Sequence, residues 1–163
     1  LDDAQGRQRE DLTNGRGETT IRGRLKWSAG EAWDFNFAAV YADVDNGYDA
    51  WAIDNSSTVL SDKPGKDAQE SVGASLRAEY SGFADSTLTS ITSFADSDIE
   101  FSYYADWGND DSWAPVLYDY ISVSDRKRKT LSQEFRFVAD QWLVGLYALK
   151  LDDEISTFNW GEY

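Results

Sequence analysis

Polar and apolar residues alternate along this chain in stretches that only a strand with two unlike faces can accommodate. From Thr20 to Trp27, Ile21, Gly23, Leu25 and Trp27 fall on one side, while Thr20, Arg22, Arg24 and Lys26 fall on the other. That is the period of two of a β-strand. A second stretch sets Trp33, Phe35, Phe37, Ala39 and Tyr41 on one face, and a third sets Val72, Ala74, Leu76, Ala78 and Tyr80 opposite Ser71, Ser75, Arg77 and Glu79. From Thr87 to Tyr103 the odd-numbered residues carry no charge, whereas Asp96, Asp98 and Glu100 collect on the even side. The odd side is expected to continue the apolar wall.

A sheet with one greasy and one wet surface belongs either to a soluble sandwich, whose apolar faces meet, or to an outer-membrane barrel, whose apolar face meets lipid. Length favours the barrel, because soluble strands cluster at about 5 to 6 residues and a tilted spanning strand needs about 9 to 11. The connections also alternate. Short turns read at Ser28-Ala29-Gly30, at Ser81-Gly82-Phe83-Ala84-Asp85 and at Ala139-Asp140-Gln141, with long polar loops from Asp45 to Asp67 and from Ala105 to Ser124 between them. An up-and-down meander produces this order, with one end of every hairpin on each side of the membrane. The fold expected is all-β, a transmembrane antiparallel up-and-down barrel segment of about seven or eight strands.

Composition narrows the function. Cysteine and histidine are both absent, which removes disulfides, thiolate metal sites and the commonest general base. The longest mainly apolar run, Trp142 to Leu149, falls far short of the roughly 18 residues of a membrane helix. A formal charge of −15 disfavours nucleic acid, whose backbone needs clustered Lys and Arg. The acid excess is expected in loops, at Asp43, Asp45, Asp49 and Asp54, at Asp106, Asp110 and Asp111, and at Asp152, Asp153 and Glu154. The one basic run, Arg126-Lys127-Arg128-Lys129, reads as the solvated start of a strand, or as a contact with anionic lipopolysaccharide.

Asp43-x-Asp45-x-Gly47-x-Asp49 has the beginning of a calcium loop, but the twelfth-position Glu is missing and position 54 is Asp, so no metal site is expected. Adjacent acids such as Asp110 and Asp111 lack a nucleophile or base beside them, and neither enzymatic activity nor a cofactor is expected. Trp27, Trp33, Tyr41, Tyr80 and Tyr103 fall near strand ends on the apolar face, where an aromatic girdle meets headgroups. Tyr48, Trp51, Trp107 and Trp113 fall in the long loops, where they either pack loop on loop or stack on a ligand.

Asp45-Asn46-Gly47-Tyr48-Asp49-Ala50-Trp51, Ile53-Asp54-Asn55 and Leu60-Ser61-Asp62-Lys63-Pro64-Gly65-Lys66-Asp67 are followed by Asp106-Trp107-Gly108-Asn109, Leu131-Ser132-Gln133-Glu134-Phe135-Arg136-Phe137 and Trp142-Leu143-Val144-Gly145-Leu146-Tyr147. In content and order this series resembles the first part of the barrel of TonB-dependent outer-membrane receptors of the iron-complex type. The resemblance implies a 22-stranded barrel occluded by a plug, importing scarce ligands such as ferric siderophores with energy from TonB. Residues 1–163 are then expected to be a partial barrel domain lacking the plug and TonB-binding segment, an excerpt that neither closes nor transports alone. Between the Phe135 and Trp142 strands only Val138 to Gln141 stand where the family usually carries a longer insert.

On this reading Tyr48, Trp51, Asp54, Asn55, Trp107, Asn109 and Trp113 face a small-molecule ligand, with the long loops over the lumen mouth. Arg22, Arg24, Lys26, Arg77, Glu79, Glu134 and Arg136 face the lumen and plug. The partners expected are the ligand, TonB through the plug, and outer-membrane lipid and lipopolysaccharide. Two other readings stay open: a soluble glycan-binding β-sandwich, and a small closed eight-stranded structural barrel whose first and last strands would pair.

Overall fold

The structure, a computed structural model, describes residues 15–48, 51–63 and 65–162. Among them stand six strands, β1 (Arg16–Ala29), β2 (Trp33–Tyr48), β3 (Gly65–Phe83), β4 (Ser86–Tyr104), β5 (Asp119–Ala139) and β6 (Trp142–Glu162), with one short helix, α1 (Asp110–Trp113), before β5. Each strand pairs antiparallel with its sequence neighbours in the order β1-β2-β3-β4-β5-β6. The architecture is therefore an all-β, up-and-down sheet, left open because β1 and β6 do not pair. Neither a second packed sheet nor a closed ring is present among the described residues.

Six strands replace the seven or eight expected because each strand runs further than its alternation suggested. The long connections shrink to residues 49–64 and 105–118, and the short ones to 30–32, 84–85 and 140–141. The first turn opens on Gly30 at φ 65° and the second closes on Asp85 at φ 57°, the left-handed conformation that a tight reversal uses. Asp43 and Asp45 lie within β2, and Asp152, Asp153 and Glu154 lie in the middle of β6 rather than in loops.

That last correction has an electrostatic cause. Arg126-Lys127-Arg128-Lys129 is not the start of a strand but the middle of β5, directly opposite Ile155, Glu154, Asp153 and Asp152. Arg126 donates to Asp153 from both Nε (2.8 Å) and Nη2 (2.5 Å), and Arg128 Nη2 reaches the same carboxylate at 3.0 Å. Lys129 pairs with Asp96 of β4 at 3.0 Å. Acids that would break a strand when solvated instead zip one together, since opposite charges across a ladder stabilise it.

Register assigns the faces. Ile21, Leu25 and Trp27 of β1 stand opposite Tyr41, Phe37 and Phe35 of β2, which pair onward with Val72, Leu76 and Ala78 of β3. On β4 this face, hereafter the belt face, continues through Leu88, Ser90, Thr92 and Phe94, and on β5 through Phe137, Phe135, Gln133 and Leu131. The charge-free row from Thr87 to Tyr103 therefore lies on the opposite, polar face, contrary to expectation. Arg22, Arg24, Lys26, Arg77, Glu79, Glu134 and Arg136 share that polar face, as expected of one row.

The belt face is apolar only at its short-turn end. Toward the long loops it becomes charged, beginning at Asp43, Glu70, Asp96, Lys129 and Lys150 on β2 to β6. Gln133 lies within the apolar part beside Thr92 and Ser90, and its amide is satisfied there: Thr92 Oγ1 donates to Oε1 at 2.6 Å, and Nε2 donates to Ser90 Oγ at 3.0 Å. Apolar side chains stay open on this surface, Leu25 at 65% and Leu146 at 70% exposure, and the buried apolar residues are Val59 and Tyr104.

Candidate functional site

Both long connections emerge at one end of the sheet and fold against each other. Asp62 N donates to Gly108 O at 3.1 Å, and Asn109 Nδ2 donates to Leu60 O at 3.2 Å. The rings of Trp51 and Trp107 stand 6.2 Å apart. Asn109 caps α1, its side chain accepting from Ser112 N while Ser112 Oγ accepts from Asn109 N, a reciprocal capping box. Trp113 closes this turn, donating from Nε1 to Asp106 O at 3.2 Å.

Lys63 fastens the pair to the sheet. Its ammonium donates to Asp119 Oδ2 at 2.5 Å and sits 4.6 Å from the Tyr104 ring centroid and 5.5 Å from that of Trp160. The Tyr104 hydroxyl donates to the other Asp119 oxygen. Burial works to lower the Lys63 pKa, but Asp119 and Tyr104 outweigh it and the ammonium is held above its ordinary value. By register Tyr104 and Trp160 both stand on the belt face. The anchor is thus on the charged upper part of that face.

Asp106 is buried, at 2% exposure, beneath these contacts. It accepts from Gly108 N at 3.1 Å. Burial first, then the charges of Asp119 and Asp62, raise its pKa to about 6 against that hydrogen bond and the nearby Lys63 ammonium.

The seven expected ligand residues divide into three groups. Trp51, Trp107, Asn109 and Trp113 meet in the docked loops, where their contacts are to other loop groups. Asp54 and Asn55 form a separate exposed turn, in which Asp54 Oδ1 accepts from Ser56 N at 2.9 Å and Asn55 adopts φ 56°; that hydrogen bonding, led by Ser56, lowers the Asp54 pKa. Tyr48 lies elsewhere, on the polar face, its ring 4.8 Å from Phe101. Phe101 continues to Tyr103 at 6.0 Å and Tyr103 to Tyr120 at 6.4 Å. Tyr103 therefore belongs to this polar-face row and not to a girdle. Only the β3–β4 register reveals the row, because Phe101 and Tyr103 alternate with Ser102 and Tyr104 in a stretch where both faces carry aromatics.

A chain of aromatic rings crosses the other end of the belt face. Trp27, Phe35, Trp33, Tyr80, Phe83, Phe137 and Trp142 follow one another at centroid distances of 5.1, 5.6, 4.7, 5.0, 5.9 and 5.3 Å. Tyr41 stands apart at the upper border of the apolar zone, where its hydroxyl faces Glu70 at 3.3 Å. No cluster of three or more carboxylates suited to a metal exists among the described residues. Asp43 and Asp45 lie on an extended strand, which spreads carboxylates along its length instead of converging them; Asp49 lies outside the described residues. No helix among them is long and apolar enough to cross a membrane. No protein-family model and no curated protein matches the chain.

Proposed function

We propose that this chain is part of the wall of an outer-membrane β-barrel, a segment of a TonB-dependent receptor for a scarce ligand of the ferric siderophore type. The observation that carries the membrane reading is a pair of oblique borders on the belt face that fall in the same direction. Residues paired straight across the strands form rungs, two residues apart on one face. Between β2 and β6 the charged border falls from Asp43 to Lys150, which is two rungs. The aromatic border falls in the same direction, from Trp27 on β1 to Trp142 on β6, by two rungs over five strand spacings.

Two rungs are four residues, about 13 Å along a strand, and four strand spacings are about 19 Å, so the charged border runs at roughly 35° to the rungs. Strands of outer-membrane barrels tilt by about 35 to 45°. A flat slab of lipid crossing such strands leaves this oblique apolar stripe, whereas a soluble packing partner has no reason to. The strand lengths and the resemblance in motif order support the receptor class.

Residues 1–163 contain no cysteine, so a thiol introduced among them is the one probed within this stretch. Single cysteines at Leu25, Leu76 and Leu146, and at Ser75 and Ser132, are introduced in the full-length gene product and probed with a charged maleimide in outer-membrane vesicles. Labelling of the two serine positions with protection of the three leucine positions is expected, together with ferric siderophore uptake that is lost without TonB. Equal labelling of both sets sinks the membrane wall, and uptake indifferent to TonB sinks the receptor class.

A further inference from the structure

We infer that Tyr104, Asp119 and Trp160 form a binding site for a primary alkylammonium, an aliphatic amine or diamine without a carboxylate, and that Lys63 is its built-in occupant. A free amine exchanges with the Lys63 ammonium and thereby releases the first long loop. The site uses only contacts at the long-loop end and stands whether or not the sheet is a barrel wall.

Two aromatic rings and a carboxylate around one ammonium are the parts that amine recognition needs, since the rings offer their negative faces and the carboxylate accepts the N–H. The Lys63 ammonium stands 4.6 Å from the Tyr104 centroid, 5.5 Å from that of Trp160 and 2.5 Å from Asp119 Oδ2. The three surrounding groups are held without it. Tyr104 ends β4 and Trp160 lies in β6, both directly opposite Ile121 of β5, and the Tyr104 hydroxyl donates to Asp119 two residues before Ile121. The occupant comes from a connection instead, and its side chain remains 46% exposed. Trp160, at 41% exposure, leaves the site open to solvent on its own side.

The surrounding charge selects the ligand. Asp62, Asp119 and Lys63 all act on the buried Asp106 carboxylate, and Glu162 is directly opposite Asp119. Lys63 is thus one cation among four carboxylates. Its withdrawal leaves a site that attracts an amine and repels the carboxylate of an amino acid. An ethanolamine lipid headgroup, whose ammonium sits beside a phosphate, is disfavoured for the same reason. A diamine gains further from the remaining acids.

The full-length gene product in detergent is dialysed to equilibrium against radiolabelled cadaverine, in native form, as Lys63→Ala, as Lys63→Arg, and as Lys63→Ala combined with Trp160→Leu. Circular dichroism of the strands checks each variant. Competition with a tethered ion pair and its ring contacts should weaken binding to the native protein about tenfold. Lys63→Ala should therefore bind about tenfold tighter, Lys63→Arg should bind like the native protein, and Trp160→Leu should remove the gain. At fixed ionic strength cadaverine should also speed protease cleavage of the native protein within residues 51–63, whereas pentanediol, aminovalerate and phosphoethanolamine should not. Unchanged affinity in folded Lys63→Ala, a gain that survives Trp160→Leu, or equal acceleration by the diol overturns the site. Acceleration by phosphoethanolamine as strong as that by cadaverine overturns the free amine as its ligand. The cleavage experiment uses the unaltered sequence and decides the matter even where Lys63→Ala does not fold.

Discussion

Lys63 in the first long connection and Asp119 at the start of β5, 56 residues apart, meet at 2.5 Å. The first loop is thereby fastened to strands that it does not connect. Lys63→Ala removes a half-exposed ion pair worth up to about 1 kcal/mol and ring contacts worth about 0.5 to 1 kcal/mol. The sheet should stay folded while protease cleavage within residues 51–63 accelerates. Lys63→Arg should restore most of the protection.

Phe37 and Leu76 are directly paired within the apolar part of the belt face, and Ser75 lies on the polar face. Arginine at Phe37 or Leu76 should cost about 2 to 4 kcal/mol in a bilayer, whereas arginine at Ser75 should cost little. Reversible unfolding from lipid vesicles in denaturant reads the difference.

Asp153 serves two guanidinium groups, so it should show coupling that a simple pair does not. In a double-mutant cycle, Asp153→Asn with Arg126→Ala should give about 0.5 to 1 kcal/mol, decreasing as salt is raised. The same measurement with Lys150 in place of Arg126 should give less, because Lys150 pairs with Asp152 at the exposed edge.

Asp106 should make loop docking depend on pH. Its pKa of about 6 in the docked loops lies above the ordinary 3.8, so the docked form binds more protons between those values. Docking should therefore strengthen as pH falls from 7 through 6 toward 4 and level off below. Asp106→Asn, which preserves an acceptor for Gly108 N, should abolish this dependence. Tryptophan fluorescence and amide exchange in residues 105–113 provide the readout.

Trp51 and Trp107 test whether the loop aromatics hold each other. Because their rings face one another at 6.2 Å, alanine at either should loosen the loops nearly as much as alanine at both, a coupling of about 0.5 to 1.5 kcal/mol. Additive losses, measured by thermal unfolding of the loop region, would show that the two rings act separately.

The strands most legible in the sequence were β1, β2 and β3, where large apolar residues alternate with Arg, Lys, Asp or Glu and fix the face without further information. On β4 small polar residues occupy both sides: Ser90 and Thr92 on the belt face differ little from Thr89 and Ser93 on the other. Only pairing with β3 decides which side is which. β6 resists reading for the opposite reason, since Leu143 to Leu149 is apolar on both faces and its acids are held in place by cations on a different strand. The loop aromatics were visible as candidates, but the anchor at Lys63, Tyr104, Asp119 and Trp160 brings together four distant segments that no local pattern connects.

Val59, in the first long connection, and Tyr104, at the end of β4, are the buried apolar residues among those described, and neither lies within the apolar zone of the belt face. Collapse in water therefore gives this chain nothing to gather around. On the proposed membrane-wall reading, the loss of conformational entropy on ordering six long strands is offset by surroundings, lipid on one side and further polypeptide on the other. Folding then becomes an event of arrival: before reaching those surroundings the chain has no stable end state to wait in, and whatever carries it there must hold it unfolded with its strand edges shielded from other chains.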